Sequence, residues 1–364
     1  MVRDPRAFWT VELLNTRDLQ QAAAGPPATP SGSSASSANA AGEHFITISD
    51  GHFVDGCERF YFTGWNQWEA VESGAGAPHL YGSVLPINVT APQMLRQLMQ
   101  SAASQGLLVM RTWADAVDSQ YALETSPGKY NEAIFRGLDY VLVLALTTNW
   151  GDTGSVDQYV SWSGTAQQHS DFFSDANCQA LYKSFVKMVL TRVNSINGRT
   201  YSEDPTIMAW NLINEPRCYQ CAAAVKSWVT MMAAYVKSLD PNHLVSIGDE
   251  GFYTSGTAAT NINPAGGWAI QQGQDYQKFC QIANIDYCTL HLWPDNWDDV
   301  NLTFQKNWII KHAQDALAIG KPAMLEEYGK QIVGGNNVRN QFYNAILSEV
   351  YNQHLGRWLA GNRV

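Results

Sequence analysis

The stretch Ile207-Met-Ala-Trp-Asn-Leu-Ile-Asn-Glu-Pro-Arg217 decides how the rest of the sequence is interpreted. Its apolar residues form a nearly continuous run, which is typical of a parallel strand that is buried on both faces. Pro216 cannot donate a backbone hydrogen bond and disfavours helical geometry at Glu215, so the strand is predicted to end at this carboxylate. A buried carboxylate is costly, and catalytic groups lie at the carboxyl ends of barrel strands. Glu215 is therefore a candidate catalytic residue, with a Glu-Pro turn closing an ordinary strand as the alternative.

The composition of the 364-residue chain argues against several classes of function. The formal net charge is −10 and no Lys/Arg cluster stands out, so neither nucleic acid nor an anionic membrane surface is an expected partner. No apolar run of roughly 18 residues occurs, so the sequence predicts no membrane span. The N-terminus does not have the pattern of a signal peptide. Thirteen tryptophans are more than a core of this size needs, and flat aromatic faces suit sugar rings.

Two segments with different compositions divide the chain. Residues 1–43 are predicted to be a disordered, low-complexity segment, because Ala22 to Gly42 is rich in Ala, Ser, Gly and Pro. Residues 44–364 are predicted to form one domain that begins with a hairpin around Ser49-Asp-Gly51. Within that domain, Cys218-x-x-Cys221 fits a redox pair, half a zinc site or a small disulfide. No second Cys-x-x-Cys follows, which weakens the zinc interpretation.

Helical and strand patterns alternate after the hairpin, which predicts right-handed βα units and a parallel sheet of the α/β class. Polar or aromatic side chains stand at the ends of five predicted strands, and these are Asn66 and Trp68, Arg111, Asn214 and Glu215, His291, and Glu327. Such groups can converge only if the strands surround one point, which favours a (β/α)8 TIM barrel over a doubly wound sheet. Neither a Gly-x-Gly-x-x-Gly motif after the first strand nor a Walker loop occurs, so no nucleotide is expected.

Two places do not fit an intact barrel. Between Asn131 and Trp150 the chain must supply a helix, a turn and the third strand, and no turn residue separates the helical from the strand pattern. After the helix predicted at residues 337–351, the remaining chain lacks a clear apolar run for the eighth strand. We therefore expect the barrel to be incomplete around strand 3 and strand 8.

Glu215 and Glu327 are the candidate catalytic pair. Two carboxylates that face each other across a barrel mouth can hydrolyse a glycosidic bond, one as acid and the other as nucleophile. Arg111 can keep one of them ionised, unless it is only a structural ion pair at the rim. His291 can orient the acid, unless it is an ordinary core histidine. Glu326 is expected to point away towards the helices, because neighbouring side chains of a strand alternate.

Three ordered motifs, Asn214-Glu-Pro, His291-Leu-Trp-Pro-Asp-Asn-Trp297 and Glu326-Glu-Tyr-Gly329, resemble glycoside hydrolase family 5. Four further stretches resemble its endo-β-1,4-mannanases of plant, fungal and algal type, namely Gly64-Trp-Asn-Gln-Trp68, Arg111-Thr-Trp113, Trp210 to Arg217, and Gly267-Trp268 with Gly273-Gln-Asp275. The similarity covers roughly residues 44–351. It implies a (β/α)8 barrel and a retaining double displacement on β-mannan, without metal or other cofactor.

The resemblance also implies a role for each site residue. Glu215 corresponds to the acid/base and Glu327 to the nucleophile. Arg111 would lie beside the nucleophile, and Asn214 would bind the sugar 2-hydroxyl. The substrate would further contact the four side chains of His291, Trp293, Trp68 and Asn66. Cys218 and Cys221 resemble a short disulfide of some members. By the same resemblance we expect a secreted monomer.

Departures from the family pattern keep two alternatives open. Many members carry Tyr where Trp293 stands, and most carry a Tyr-Trp pair where Gln67-Trp68 follows Asn66. One alternative is an endo-β-1,4-glucanase of the same clan. The other is a carbohydrate-binding protein without turnover, because a displaced strand would separate the two carboxylates, and a misplacement of about 1 Å can cost roughly 100-fold in rate.

Overall fold

The computed structural model describes most of the predicted domain. The described residues are 44–77, 79–80, 83–84, 88–114, 119–141, 144–150, 154–331, 335–353 and 356–358. Residues 1–43, for which disorder was predicted, lie outside them.

A parallel eight-stranded sheet forms the centre of the described molecule. Its strands are β1 Thr63–Asn66, β2 Leu107–Trp113, β3 Leu144–Ala145, β4 Ala209–Asn211, β5 Leu244–Ser246, β6 Cys288–Leu292, β7 Ala323–Tyr328 and β8 Gly356–Trp358. The hydrogen-bonded order is β5-β4-β3-β2-β1-β8-β7-β6, so every neighbour in the sheet is also a neighbour in sequence or joins the first strand to the last. This is the cyclic order that a (β/α)8 barrel requires.

The ends of that order, β5 and β6, are joined by backbone contacts rather than by a strand ladder. Asp286 N–H donates to Val245 O at 2.7 Å, and His291 N–H donates to Glu250 O at 3.1 Å. The described sheet is therefore not closed as a continuous ladder, although its last two strands lie side by side.

Helices follow the strands in the predicted alternation. They are α1 Ala70–Gly74, α2 Ala91–Ser104, α3 Glu132–Tyr140, α4 Val156–Ser163, α5 Ala176–Leu190, α6 Ala222–Leu239, α7 Gly256–Asn261, α8 Tyr276–Cys280, α9 Leu302–Ile319 and α10 Asn336–Asn352. Local sequence explains several boundaries. Thr90 and Gln93 form a capping box at the start of α2, and Asn301 caps α9, which ends at the left-handed Gly320.

Short antiparallel strands lie outside the parallel sheet. The predicted hairpin is confirmed, because Ile46–Ser49 pairs with His52–Asp55 around Asp50 and Gly51, which both have positive φ. Glu58–Arg59 extends this hairpin. Two further pairs are His79–Leu80 with Ser83–Val84, and Glu124–Ser126 with Lys129–Tyr130.

The expected incompleteness is not confirmed, since a strand occupies both places. After α3 the backbone of the buried Val141 is already extended, with φ −126° and ψ 115°. Leu144 pairs with Thr112 on one side and Trp210 on the other. In β8, Gly356 pairs with Met324, and Arg357 pairs with Thr63. Two paired edges hold such short strands in place without a long apolar run.

The helices cover the sheet with a largely apolar core. The fully buried indoles of Trp210, Trp228 and Trp308 are among its largest side chains. Cys218 pairs with Cys221 in a disulfide, as the resemblance implied, and a second disulfide joins Cys280 to Cys288. Among the described residues, none of the helices combines the length and the apolar character needed to cross a membrane.

Candidate active site

Six of the predicted site residues converge at the carboxyl ends of the strands. Arg111 lies on β2, and Asn214 and Glu215 follow β4. His291 lies on β6, with Trp293 directly after that strand, and Glu327 lies on β7. Because parallel strands end on the same rim of the sheet, residues far apart in sequence become neighbours there.

Glu215 ends the β4 segment in an uncommon backbone conformation. Its φ is 53°, a left-handed value that is rare for residues other than glycine. The backbone N–H of Glu215 donates to Gly248 O at 2.8 Å, which ties this position to the neighbouring β5 segment. Both side-chain oxygens have partners: Oε1 lies 2.7 Å from His291 Nδ1, and Oε2 accepts from Trp150 Nε1 at 2.6 Å.

Glu327 is held by a different kind of partner. Arg111 Nη1 donates to Glu327 Oε1 at 2.6 Å, and Trp293 Nε1 donates to Oε2 at 3.2 Å. The other nitrogens of Arg111 donate to Asn211 Oδ1 at 2.7 Å and to Asn214 Oδ1 at 2.8 Å. A planar guanidinium that uses three edges at once has little freedom to move, so it fixes Glu327 in one position.

The charges of the two cationic partners follow from their surroundings. Burial lowers the pKa of Arg111, but the charges of Glu326 and Glu327 outweigh it and raise the pKa above its usual value. Burial also lowers the pKa of His291, whereas the charge of Glu327 and the contacts with Glu215 and Glu326 raise it to about 10. Near neutral pH His291 is therefore an imidazolium.

The two carboxylates lie close together. An oxygen of Glu215 and an oxygen of Glu327 are within 4.8 Å of each other, and His291 lies within the same distance of both. Retaining glycosidases hold their carboxyl groups about 5 to 5.5 Å apart, whereas inverting ones need roughly 6.5 to 9.5 Å to admit a water. The observed spacing fits the retaining arrangement.

The prediction that Glu326 points towards the helices is wrong. Leu290 pairs with Leu325, but His291 pairs with Glu327, so β7 contains a bulge that leaves Glu326 without a partner in the register. A bulge interrupts the alternation of side chains. Glu326 is completely buried, accepts from Asn211 Nδ2 at 2.9 Å and lies 3.8 Å from Arg111 Nη2.

Asn66 and Trp68, the remaining predicted substrate contacts, stand at the end of β1. Asn66 is buried and donates from Nδ2 to the backbone oxygen of Glu326 at 3.0 Å, so it supports the bulged strand. Trp68 lies two residues further, in the turn before α1, and is partly exposed.

Three residues around Glu215 were missed by the sequence analysis. The indole of Trp150 donates to Glu215, and this residue is 41% exposed. The guanidinium of Arg217 lies 4.9 Å from the centre of the Trp150 ring and is held by the buried Glu250 at 2.8 Å. The position of Trp150 in the sequence could have identified it, because it follows β3 as the other site residues follow their strands.

The three side chains of this cluster could be tested as metal ligands, because Glu215, His291 and Glu327 each offer one ligand atom. The chemistry of the group disfavours a metal ion. His291 would have to release its proton before it could bind a metal ion, and the Arg111 guanidinium on Glu327 repels a cation. The donor set does not fit a resident cation near neutral pH.

Comparisons with known proteins agree with this geometry. The family described as GH family 5 beta-mannosidase-like matches residues 43–362. A rice protein named mannan endo-1,4-beta-mannosidase 4 is 38% identical over 340 residues, which cover 86% of this chain and 70% of the rice protein. A tomato protein named mannan endo-1,4-beta-mannosidase 5 is 35% identical over 339 residues, covering 86% of this chain and 78% of the relative.

Solved structures show the same relationship. An endo-1,4-beta-D-mannanase from Thermotoga petrophila superposes with a TM-score of 0.71 at 30% identity, covering 83% of this chain and 88% of that protein. An endo-1,4-beta-mannanase from Rhizomucor miehei gives a TM-score of 0.71 at 25% identity, covering 88% and 90%. These neighbours imply a (β/α)8 barrel. The chain belongs to glycoside hydrolase family 5, in its β-mannosidase-like group, and is a glycosidase.

Proposed function

We propose that the chain is a retaining endo-β-1,4-mannanase that cleaves internal bonds of mannan, glucomannan or galactomannan. Glu327 is the nucleophile and Glu215 is the acid/base. The names of the plant relatives and of the two solved neighbours support the substrate. The assignment of roles rests on the different partners of the two carboxylates.

The difference between Arg111 and His291 carries that assignment. Arg111 does not release its proton at any working pH, so its contact places a permanent positive charge beside Glu327, which suits a nucleophile. His291 contacts Glu215 Oε1 through Nδ1 at 2.7 Å, and unlike arginine it can pass a proton to this oxygen and take it back. A carboxyl group that gives up and regains a proton suits the acid/base.

The reaction then proceeds in two balanced steps. In the first, Glu327 attacks the anomeric carbon while Glu215 protonates the leaving oxygen, so a carbon–oxygen bond to the enzyme forms as the glycosidic bond breaks. In the second, Glu215 takes a proton from water, which attacks the same carbon and releases Glu327. Asn214 positions the sugar: its Oδ1 is engaged by Arg111, which leaves the amide nitrogen as a donor for a hydroxyl.

The substrate is tested by a reducing-sugar assay on soluble mannan and on carboxymethyl-cellulose. Turnover of mannan with a rapid fall in viscosity supports an endo-mannanase. Turnover of cellulose alone would instead indicate an endo-β-1,4-glucanase, and binding of mannan without turnover would indicate a carbohydrate-binding protein.

The roles are tested by Glu327→Gln and Glu215→Gln, each of which we expect to lower kcat on mannan by about 1,000-fold or more while binding persists. Added azide separates them on an aryl mannoside with a good leaving group. Azide should give the α-mannosyl azide with the Glu327 variant, because it replaces the nucleophile. It should give the β-azide with the Glu215 variant, because it attacks the covalent intermediate.

The control variant is Glu132→Gln, which changes a half-exposed carboxylate in another part of the fold. Wild-type turnover by either site variant would overturn the roles.

The proposal includes a monomer that acts outside the cell. The family resemblance supports this location. Size-exclusion chromatography with light scattering tests the monomer, and detection of the protein in the culture medium of its source tests the location.

A further inference from the structure

Glu326 is a buried carboxylate that the proposed mechanism does not use. Its side chain has no exposed surface, and the bulge in β7 turns it into the same interior as Arg111 and His291. A charged group in such a place is costly unless it is compensated. The compensation found around Glu326 therefore indicates what the residue does.

Two cations face Glu326 from two different strands. Glu326 Oε2 lies 3.8 Å from Arg111 Nη2 on β2 and 3.7 Å from His291 Nε2 on β6. Each of these cations contacts a candidate catalytic carboxylate with its other side: Arg111 contacts Glu327, and His291 contacts Glu215. Glu326 thus lies behind Glu215 and Glu327 and forms no hydrogen bond with either of these two carboxylates.

Neutral contacts fix the position of Glu326. Asn211 Nδ2 donates to its Oε1 at 2.9 Å, while Asn211 Oδ1 accepts from Arg111 Nε at 2.7 Å. Asn66 holds the backbone of Glu326. Among the described residues, Glu326 Oε2 and His291 Nε2 have no hydrogen-bond partner and face each other. An ion pair is the interaction that remains for these two atoms.

We propose that Glu326 is a positioning residue, a buried counter-charge that keeps His291 protonated and orients Arg111 behind the two carboxylates. This inference rests on the proposed function, because it matters for turnover only if the pair of His291 and Glu215 handles the proton. Removing the negative charge weakens the hold of His291 on its proton.

Other titratable groups face the same interior and must be separated from this effect. Burial raises the pKa of Asp249 to about 7, and the charge of Glu326 adds to it. Burial also raises the pKa of Tyr287, again with a contribution from Glu326. Asp249→Asn and Tyr287→Phe variants, measured in parallel, identify any titration that comes from these two groups.

The closing experiment combines Glu326→Gln with a histidine titration. Glu326→Gln keeps an oxygen acceptor for Asn211, removes the charge and replaces the oxygen that faces His291 and Arg111 by an NH2 group. In the ¹⁵N spectrum of histidine-labelled protein, assigned with a His291→Gln variant, wild-type His291 should carry protons on both ring nitrogens at pH 8. In Glu326→Gln its pKa should fall by roughly one unit or more. The basic limb of kcat/KM on mannan should move to lower pH with it, and kcat should fall about 10- to 100-fold at similar KM.

Two further variants separate positioning from stability. Glu326→Asp keeps the charge and should retain the basic limb while kcat falls, because the shorter side chain cannot reach Asn211. Asp240→Asn breaks a comparable buried pair, since Asp240 lies 2.6 Å from His243 ahead of β5. It should lower stability and leave the pH profile of kcat/KM unchanged.

The possible outcomes are distinct. A neutral wild-type His291 at pH 8 overturns the inference without any variant, and so does an unchanged pKa of His291 in Glu326→Gln. A fall in that pKa without a shift of the basic limb supports the counter-charge and instead contradicts the role of Glu215 as acid/base.

Discussion

The two strand ends that carry Glu215 and Glu327 place their carboxylates by different means. Behind β4, Glu215 adopts a left-handed backbone conformation and is tied to the next strand by one backbone hydrogen bond. On β7, Glu327 follows a bulge and depends on Arg111, which reaches it from β2. The backbone of Glu215 is set mainly by its own chain segment, whereas the carboxylate of Glu327 is set mainly by the opposite wall of the sheet.

This difference predicts which changes affect which carboxylate. Substitutions around Arg111 and Trp293 should disturb Glu327 and leave Glu215 in place. The largest effect is expected when the guanidinium of Arg111 is replaced, and a smaller one when Trp293 is displaced. The smallest is expected for His312, which packs behind β6.

Arg111→Lys should produce the largest effect. A lysine ammonium cannot serve Asn211, Asn214 and Glu327 at once, so Glu327 loses its fixed position. We expect kcat/KM on mannan to fall by about 100-fold or more. With an aryl mannoside that has a good leaving group, stopped-flow measurement should show that formation of the covalent intermediate is the slowed step.

A matched control is Arg192→Lys. Arg192 is also largely buried and binds Asp139 and Glu132, but it lies among α3 and the segment after α5, away from the carboxylates. This variant should lose stability and keep kcat. If both lysine variants kept kcat, the dependence of Glu327 on Arg111 would be refuted.

Gly329→Ala should have an intermediate effect. A Cβ at this position would overlap the ring of Trp293, so the indole must move and its hydrogen bond to Glu327 weakens. Loss of one such bond, worth about 1 kcal/mol, corresponds to roughly a 5- to 10-fold fall in kcat.

Trp293→Phe removes the same indole donor without crowding. Its effect should be similar, and the double variant should show little further loss, because both changes remove one interaction. Additive losses in this double-mutant cycle would show that Gly329 acts through something other than Trp293.

The smallest effect on the site concerns His312, which supports β6 from behind. Its ring nitrogens lie 2.6 Å from Trp308 O and 2.7 Å from Gly251 O, and the Trp308 indole donates to His291 O at 2.8 Å. Burial lowers the pKa of His312 to about 4. Between that value and the unfolded pKa of about 6.5, the unfolded chain binds a proton that the folded chain excludes.

The unfolding free energy should therefore fall as the pH drops from about 6.5 towards 4, by up to roughly 3 kcal/mol from this group. Urea denaturation between pH 7.5 and 4.5 measures the fall, and His312→Gln should reduce it without changing kcat near neutral pH. His291 has the opposite sign, since its raised pKa adds stability that is lost as the pH rises towards 10. An equal fall in wild type and His312→Gln would contradict the assignment.

Much of the fold could be predicted because the signals were local. The helical patterns of the sequence are realised in Ala91–Ser104, Ala222–Leu239 and Leu302–Ile319, because apolar periodicity marks all three and capping residues mark the first and the third. The completeness of the sheet at β3 and β8 could not be predicted, because strands of two and three residues are held by their neighbours rather than by a long pattern of their own.

The sequence by itself determined the alternation of strands and helices, the candidate carboxylates Glu215 and Glu327, and their cationic partners Arg111 and His291. These follow from residue types at strand ends, which are local properties. Only the tertiary structure decided that Glu326 belongs to the interior, because a register shift between β6 and β7 overrides the alternation of side chains. It alone also brought Trp150 to Glu215. Contacts between segments that are distant in sequence depend on how the sheet curves. The residue pattern within one segment does not predict them.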